Sequence, residues 1–219
     1  MSVAVENFIK TIYKNNLNSV NDTKPGSIAK HLQISNAAAT DMAKKLAEKE
    51  LLNYEKYKPL KLTSKGEKIA LNVIRKHRLW EAFLFKTFDM SLHDIHREAE
   101  LLEHETSNFL AEKISAYLGH PKFDPHGDPI PNSDGEITTT DISISLEKSV
   151  ENKTYTIARL MSDDKDFFDF CAQNGLKYGN TLEVVKQFSN TKMTQIRINN
   201  NTILLNQDFT KIIYVNEIN

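Results

Sequence analysis

Residues 27–46, SIAKHLQISNAAATDMAKKL, decide the fold of the first part of the chain. A short helix over 28–32 precedes a turn at 34–36 and a second helix over 37–46, for which Ser35 is placed as the N-cap. Small residues at the start of the second helix allow its first turn to approach base edges in a DNA major groove. The order predicts a helix-turn-helix. Its candidate DNA-binding residues are Ser35, Asn36, Ala37, Ala38, Thr40, Asp41, Lys44 and Lys45.

The flanking segments extend this motif to a winged helix-turn-helix domain. Apolar residues at helical spacing around Phe8 and Ile12 predict a first helix. Residues 51–63 alternate around a lysine-rich tip, which predicts a β-hairpin wing with Lys56 and Lys58 as further DNA contacts. A small helical domain without a DNA partner stays an alternative, because helix-turn-helix geometry is not unique to DNA-binding proteins.

The charge is distributed unevenly along the 219 residues. Residues 1–70 carry 12 Lys against 7 acidic residues, whereas residues 71–140 carry 7 basic against 12 acidic residues. This asymmetry suits a chain that contacts a polyanion at one end and a cation in the middle. Cys171, the single cysteine, excludes an intramolecular disulfide and fits a reducing compartment. We find no signal peptide and no membrane-spanning run, so we expect a cytoplasmic protein with no membrane partner.

Residues 96–104, HREAELLEH, place potential metal ligands on one stripe of a predicted helix that runs over 91–118 and ends at Gly119. At about 100° per residue, His96, Glu100, Glu103 and His104 fall within roughly 80° of one another. Carboxylate and imidazole donors without a thiolate suit Mn²⁺ or Fe²⁺. A solvated, charge-rich helix is the alternative.

Neighbouring segments offer further ligands and a subunit interface. His77 and Glu81 lie four residues apart on a helix predicted over 66–88, whose aromatic end favours a homodimer. The proline-rich connection 120–131 adds Asp124 and His126, although both residue types are also common in turns.

The last part of the chain predicts a small β-barrel. Residues 141–153 resemble a polar linker. Short strands are predicted at 155–160, 182–185, 195–198, 202–205 and 212–215, with a helix over 164–174. The predicted domains are therefore a winged helix-turn-helix at 1–70, a helical dimerisation and metal-binding domain at 71–140, and a β-domain at 150–219. The fold class is mainly α with a C-terminal small β-barrel.

Three stretches resemble the diphtheria toxin repressor family of metal-dependent transcriptional regulators. They are KHRLWE at 76–81, HREAELLEH at 96–104 and PHGDPIP at 125–131. The resemblance covers essentially the whole chain, and it implies that the β-domain is the SH3-like, ferrous-transport-type domain of the longer members. It also implies a manganese- or iron-dependent repressor of metal-uptake genes, not an enzyme. Such a protein binds palindromic double-stranded operator DNA as a metal-loaded homodimer.

The resemblance further implies a set of metal ligands. The primary site takes Glu100, Glu103 and His104 together with a residue of the N-terminal helix, which falls here on Asn7. Glu100 stands where iron-type members have cysteine and manganese-type members glutamate, which favours Mn²⁺. Second-site positions of the family match His77, Glu81, Asp124 and His126. Near Asp163 and Asp164 such domains lend an acidic ligand, although an acidic helix start explains this pair equally well.

Two residues depart from the family pattern. Asn7 replaces the usual Asp or Met, and its uncharged amide binds a cation more weakly than a carboxylate does. Lys10 occupies a position that is acidic in the manganese branch, which argues against a closely spaced two-metal site. We expect Glu103→Gln to weaken the metal response while leaving the fold intact.

Other classes explain the sequence less well. A zincin would need histidine at position 108, where the chain has Asn108, and a ferritin-like site would need glutamate in place of Leu101. A non-regulatory metal-binding protein would not need the winged helix. A regulator that senses a small organic ligand leaves the carboxylate–histidine stripe unexplained, and metal dependence of DNA affinity distinguishes it.

Overall fold

The computed structural model describes residues 1–17, 22–139 and 142–218, which form two compact units. The first unit comprises Met1–His77, Leu101–Lys113 and Pro131–Thr138. The second comprises Arg78–Glu100, Ile114–Ile130 and Thr139–Asn219. Residues 140 and 141, where the predicted second domain ends and the predicted linker begins, lie outside the described residues. The three domain boundaries stay a prediction.

The first unit contains the predicted winged helix-turn-helix. Helices α1 (Val3–Leu17), α2 (Pro25–His31) and α3 (Asn36–Glu48) are followed by strands β1 (Leu52–Asn53) and β2 (Lys61–Leu62), which pair antiparallel as the wing. Ser35 caps α3 as predicted, because its Oγ accepts a hydrogen bond of 3.1 Å from the Ala38 amide. One apolar core joins α1 to α3. Its members include Phe8, Ile9, Ile12, Ala39, Ala43 and Leu46.

Helix α4 (Ser64–Phe88) starts against this wing. Thr63 Oγ1 accepts a hydrogen bond from the Gly66 amide, which caps the first turn. A Cβ at Gly66 would collide with the backbone carbonyl of Leu51, so the close approach requires glycine.

The prediction of a single helix over residues 91–118 is wrong. The chain instead forms α5 (Leu92–Leu102) and α6 (Asn108–Leu118), separated by a turn. Thr106 Oγ1 donates to the Leu102 carbonyl at the end of α5, and Ser107 Oγ accepts from the Leu110 amide at the start of α6. These two side chains satisfy backbone groups that a continuous helix would pair internally. Glu103 and His104 therefore lie in the turn and not on the helix.

The second unit contains the predicted β-domain. Strands β3 (Ile144–Ser145), β4 (Lys153–Leu160), β5 (Thr181–Phe188), β6 (Met193–Ile198), β7 (Asn201–Asn206) and β8 (Ile213–Glu217) form, within the described residues, a six-stranded antiparallel sheet in the order β3-β8-β4-β5-β6-β7. Helices α7 (Lys165–Gln173) and α8 (Gln207–Ile212) accompany the sheet, and α8 packs against both edge strands. Cys171 is buried in this core, and burial raises the pKa of its thiol to about 12.

The predicted polar linker ends earlier than expected. Residues 144–145 already form β3, which pairs with β8, and a 3-10 turn (Leu146–Lys148) follows. Leu146 is fully buried, so hydrophobic burial overrides the polar character of its neighbours. Among the described residues, no helix is both long and apolar enough to cross a membrane.

Candidate metal centres and DNA-binding face

A buried carboxylate lies at the centre of one polar cluster in the first unit. Glu103 is fully buried in the turn after α5, and the Nζ atom of Lys10 on α1 lies 2.5 Å from its Oε1. The same Oε1 lies 3.1 Å from His104 Nε2, and Glu103 Oε2 lies 2.7 Å from His77 Nδ1. Residues of α1, α4 and the turn after α5 thus meet at one carboxylate. We use the name Glu103 cluster for the set formed by Glu103, Lys10, His77, His104, Glu6 and Asn7.

Glu6 orients the His104 ring within this cluster. Glu6 Oε2 lies 2.6 Å from His104 Nδ1, so the carboxylate accepts a hydrogen bond from Nδ1–H, and a neutral ring in this orientation presents the Nε2 lone pair to a cation. A carboxylate–histidine pair of this kind commonly supports a metal-binding imidazole. Glu6 was not predicted from the sequence; its position directly before Asn7, on the helix predicted to supply a ligand, was the available signal.

Two buried acceptor atoms of the Glu103 cluster fit a cation. Within the described residues, neither Asn7 Oδ1 nor His104 Nε2 makes a well-aligned hydrogen bond. Buried polar atoms without partners are rare in native proteins, and each costs free energy. A divalent cation would satisfy both an amide oxygen and an imidazole nitrogen, so the residues present fit a metal ion.

A second cluster lies wholly within the second unit. Glu81 on α4 accepts from His96 of α5, with Oε1 2.9 Å from His96 Nδ1, and lies 3.7 Å from His126 Nδ1. Ligand atoms of Glu81, Asp124 and His126 all lie within 4.8 Å of one another, and all three residues are buried. We call these four residues the Glu81 cluster.

Burial sets the protonation of the Glu81 cluster. Burial, followed by the nearby Asp128 and Glu81 carboxylates, raises the pKa of Asp124 well above its usual range. Burial lowers the pKa of His126, so its imidazole is neutral near pH 7. Burial alone would raise the pKa of Asp128, but the guanidinium groups of Arg78 and Arg159 outweigh burial and lower it. The cluster thus contains a neutral imidazole and a carboxyl group that retains its proton more strongly than usual.

The proline-rich connection is fixed by backbone contacts. Asp124 Oδ1 accepts from the His126 and Asp128 amides at 2.9 Å each, and the Leu160 amide donates to the His126 carbonyl at 2.8 Å. Gly127 has φ +90°, and a Cβ there would collide with the Ala158 carbonyl. The loop conformation therefore holds Asp124 and His126 in place.

Three metal candidates from the sequence remain, namely Glu100, Asp163 and Asp164. Glu100 is half-buried on the last turn of α5. Asp163 is exposed, and Asp164 caps α7, with its Oδ1 2.8 Å from the Phe167 amide. The Asp164 contact matches the acidic helix start considered above. A metal role for Glu100, Asp163 and Asp164 stays a prediction.

The predicted DNA-binding residues lie on an exposed face of the first unit. Asn36, Ala37, Ala38, Asp41, Lys44 and Lys45 of α3 are exposed, as are Lys56 and Lys58 of the wing. Thr40 is half-buried and donates to the Asn36 carbonyl, and Lys45 forms a 2.8 Å ion pair with Asp41. Tyr57 is 81% exposed at the wing tip. An exposed lysine-bearing helix beside an exposed wing is the arrangement expected for a major-groove reader.

A winged helix-turn-helix combined with buried carboxylate–imidazole clusters defines the class of metal-responsive DNA-binding proteins. Residues 1–60 match the family described as "Iron dependent repressor, N-terminal DNA binding domain", and residues 63–132 match "Iron dependent repressor, metal binding and dimerisation domain". A solved structure described as "Manganese-dependent transcriptional repressor complex with manganese" is similar, at 30% identity and a TM-score of 0.89. That likeness covers 98% of this chain and 100% of the other.

Two relatives extend the comparison. The iron-dependent repressor IdeR of Mycobacterium leprae is 30% identical over 58% of this chain and 54% of its own length, so that match spans about half of the relative. The diphtheria toxin repressor of Corynebacterium glutamicum is 22% identical over 97% of this chain and 96% of its own length. The chain belongs to the iron-dependent, or diphtheria toxin, repressor family, which is a family of transcriptional repressors and not of enzymes.

Proposed function

We propose that this protein is a manganese- or iron-activated transcriptional repressor of metal-uptake genes that binds palindromic operator DNA as a homodimer in the cytoplasm. The observation that carries the proposal is the Glu103 cluster, where buried Asn7 Oδ1 and His104 Nε2 lack well-aligned partners within the described ranges. An amide oxygen, a carboxylate and an imidazole are donors that Mn²⁺ and Fe²⁺ accept. The similar structure complexed with manganese supports Mn²⁺, and the mycobacterial relative is an iron-dependent repressor.

Each cluster would hold one metal ion. In the first unit, Asn7, Glu103 and His104 would be ligands, with Glu6 supporting His104. In the second unit, the Glu81 cluster would bind a second ion. A bound divalent cation supplies two positive charges, which neutralise buried carboxylates and attract amide and imidazole donors. Roles for Asp163 and Asp164 rest on the resemblance alone.

Helix α1 connects the Glu103 cluster to the recognition helix. One face of α1 carries Glu6 and Lys10, which contact His104 and Glu103. Phe8, Ile9 and Ile12 of α1 enter the same apolar core as residues of α3. A restraint on α1 at the cluster therefore restrains α3, and in a dimer it would favour the spacing at which two recognition helices reach successive major grooves.

Exposed apolar side chains support a homodimer. Leu101 and Phe109 of the first unit are 68% and 73% exposed, and Phe88 and Tyr117 of the second unit are each 63% exposed. Large apolar groups on a surface mark interaction sites. All four lie within residues 63–132, which match the family's metal-binding and dimerisation domain.

The test is DNA affinity measured with and without metal. Fluorescence anisotropy would follow binding to DNA upstream of the protein's own gene and of metal-uptake genes, first with chelator and then with Mn²⁺ or anaerobic Fe²⁺, at fixed salt. We expect tight binding only with metal. His104→Gln should lose the metal response, whereas the matched variant His120→Gln, at an exposed histidine, should keep it. Affinity that is equal with chelator and with metal contradicts the proposal.

A further inference from the structure

The buried ammonium group of Lys10 contacts the oxygen of Glu103 that a bound metal ion would also contact. Its side chain is 6% exposed, and its partner Glu103 is fully buried. Lysine is almost never fully buried unless it is paired. The pair links residues 93 positions apart, so it is a tertiary contact between α1 and the turn after α5 and not a surface pair formed by helical spacing.

The ammonium group and His104 share one carboxylate oxygen. Glu103 Oε1 lies 2.5 Å from Lys10 Nζ and 3.1 Å from His104 Nε2, while the other oxygen contacts His77. A cation bound between His104 Nε2 and Glu103 would need this same oxygen. An ammonium and a divalent ion cannot both lie against it, because their repulsion is strong in a buried, low-dielectric site.

We propose that Lys10 is a tethered competitor of the activating metal. Its ammonium group pairs with Glu103 when no metal is bound and leaves Glu103 when a divalent ion enters. The free energy of breaking this pair weakens metal binding, and Lys10 thereby sets the metal concentration at which the protein responds. This inference rests on the proposed function.

The experiment measures Mn²⁺ affinity without DNA. Wild type, Lys10→Met and Lys10→Arg would compete with a fluorescent chelator for Mn²⁺ at fixed pH and salt. We expect Lys10→Met to lower the Kd by about tenfold, since an unpaired buried carboxylate gains more from a cation. Lys10→Arg keeps the charge and should stay within about twofold of wild type. Lys14→Met is the matched control, because it removes a positive charge one turn further along α1.

Each outcome decides a separate claim. A Kd for Lys10→Met that is equal to or higher than that of wild type overturns the competitor role. Lys10→Gln replaces Lys10→Met in the same titration if the methionine variant does not fold in chelator, and its Kd is then decisive. Wild-type protein that binds neither Mn²⁺ nor anaerobic Fe²⁺, or that binds DNA equally with chelator and with either metal, refutes the proposed function itself. Metal-dependent DNA binding with an unchanged variant Kd refutes only the role of Lys10.

Discussion

Glu103→Gln should destabilise the protein even in the presence of chelator. The substitution leaves the Lys10 ammonium buried beside a neutral amide, with side-chain exposures of 6% for Lys10 and 0% for Glu103. Removing one partner of a buried ion pair typically costs about 3–5 kcal/mol. We expect about 3 kcal/mol, because the glutamine amide can still hydrogen-bond with His77 and His104. This revises the expectation from sequence that the variant leaves the fold intact.

Urea unfolding followed by far-ultraviolet circular dichroism measures this loss. The free energy of unfolding decreases by about 1–3 kcal/mol per molar urea, so the urea concentration at the unfolding midpoint should fall by about 1–3 M. The double variant Glu103→Gln with Lys10→Met removes both charges and should recover most of the loss. The double-mutant cycle then gives a coupling free energy of about 2–3 kcal/mol, within the range seen for contacting residues.

Two results would refute the reasoning. A single-variant loss below about 1 kcal/mol would mean that solvent screens the pair as it does at a surface. A coupling free energy below about 0.5 kcal/mol would mean that the two groups are energetically independent despite their 2.5 Å separation. Glu105→Gln, at the exposed carboxylate two residues further on, is the control and should leave the midpoint unchanged.

Four further predictions concern other parts of the molecule. Glu6→Gln should weaken Mn²⁺ binding by about 10–100-fold in calorimetric titration, because the His104 ring loses the carboxylate that orients it. Because the pKa of Asp124 is raised, metal competes with a proton for this carboxylate, and Mn²⁺ affinity at the Glu81 cluster should fall as pH decreases. A weakly buffered titration should detect the released proton, and Asp124→Asn should abolish that release. Gly127→Ala should lower the free energy of unfolding by about 2–4 kcal/mol in thermal unfolding, because its φ is +90° and a backbone carbonyl blocks the new methyl group. Gly119→Ala, with φ +81° and open space within the described residues, should lower it by only about 1 kcal/mol. Lys44→Ala should weaken binding to all DNA sequences alike and reduce the slope of log affinity against log salt by about 1.

Local signals were sufficient to predict the winged helix-turn-helix and most of the sheet. The Ser35 cap, the small residues after it and the alternation around the wing act over a few residues, and each formed as predicted. The strands of the second unit followed from short alternating runs. β3 was missed because it is two residues long, and its stability comes from pairing with β8 about 70 positions later.

The metal candidates were selected on the assumption of one continuous helix, which is wrong for Glu103 and His104. The helical stripe places Glu103 and His104 on one helix with His96, but α5 ends at Leu102. Apolar periodicity continues across the break, which conceals it, while the adjacent Thr106 and Ser107 were the available cap signals. Spacing therefore selected residue types that can coordinate a metal, whereas the turn that positions two of them depends on side-chain hydrogen bonds to the backbone.

The long-range partners of these candidate ligands bear on the proposed mechanism of activation. If metal were the only link between α1 and the turn after α5, α1 would be loosely held without metal. Lys10 and Glu6 on α1 instead contact Glu103 and His104, so α1 is tied to the turn by residues that belong to the protein itself. Under our proposal, metal does not decide whether α1 is tied. It exchanges the Lys10 contact for coordination by Asn7, about one turn away on the same helix. The difference in free energy between these two contacts, and not the total strength of metal binding, is then what shifts the population toward the DNA-binding arrangement.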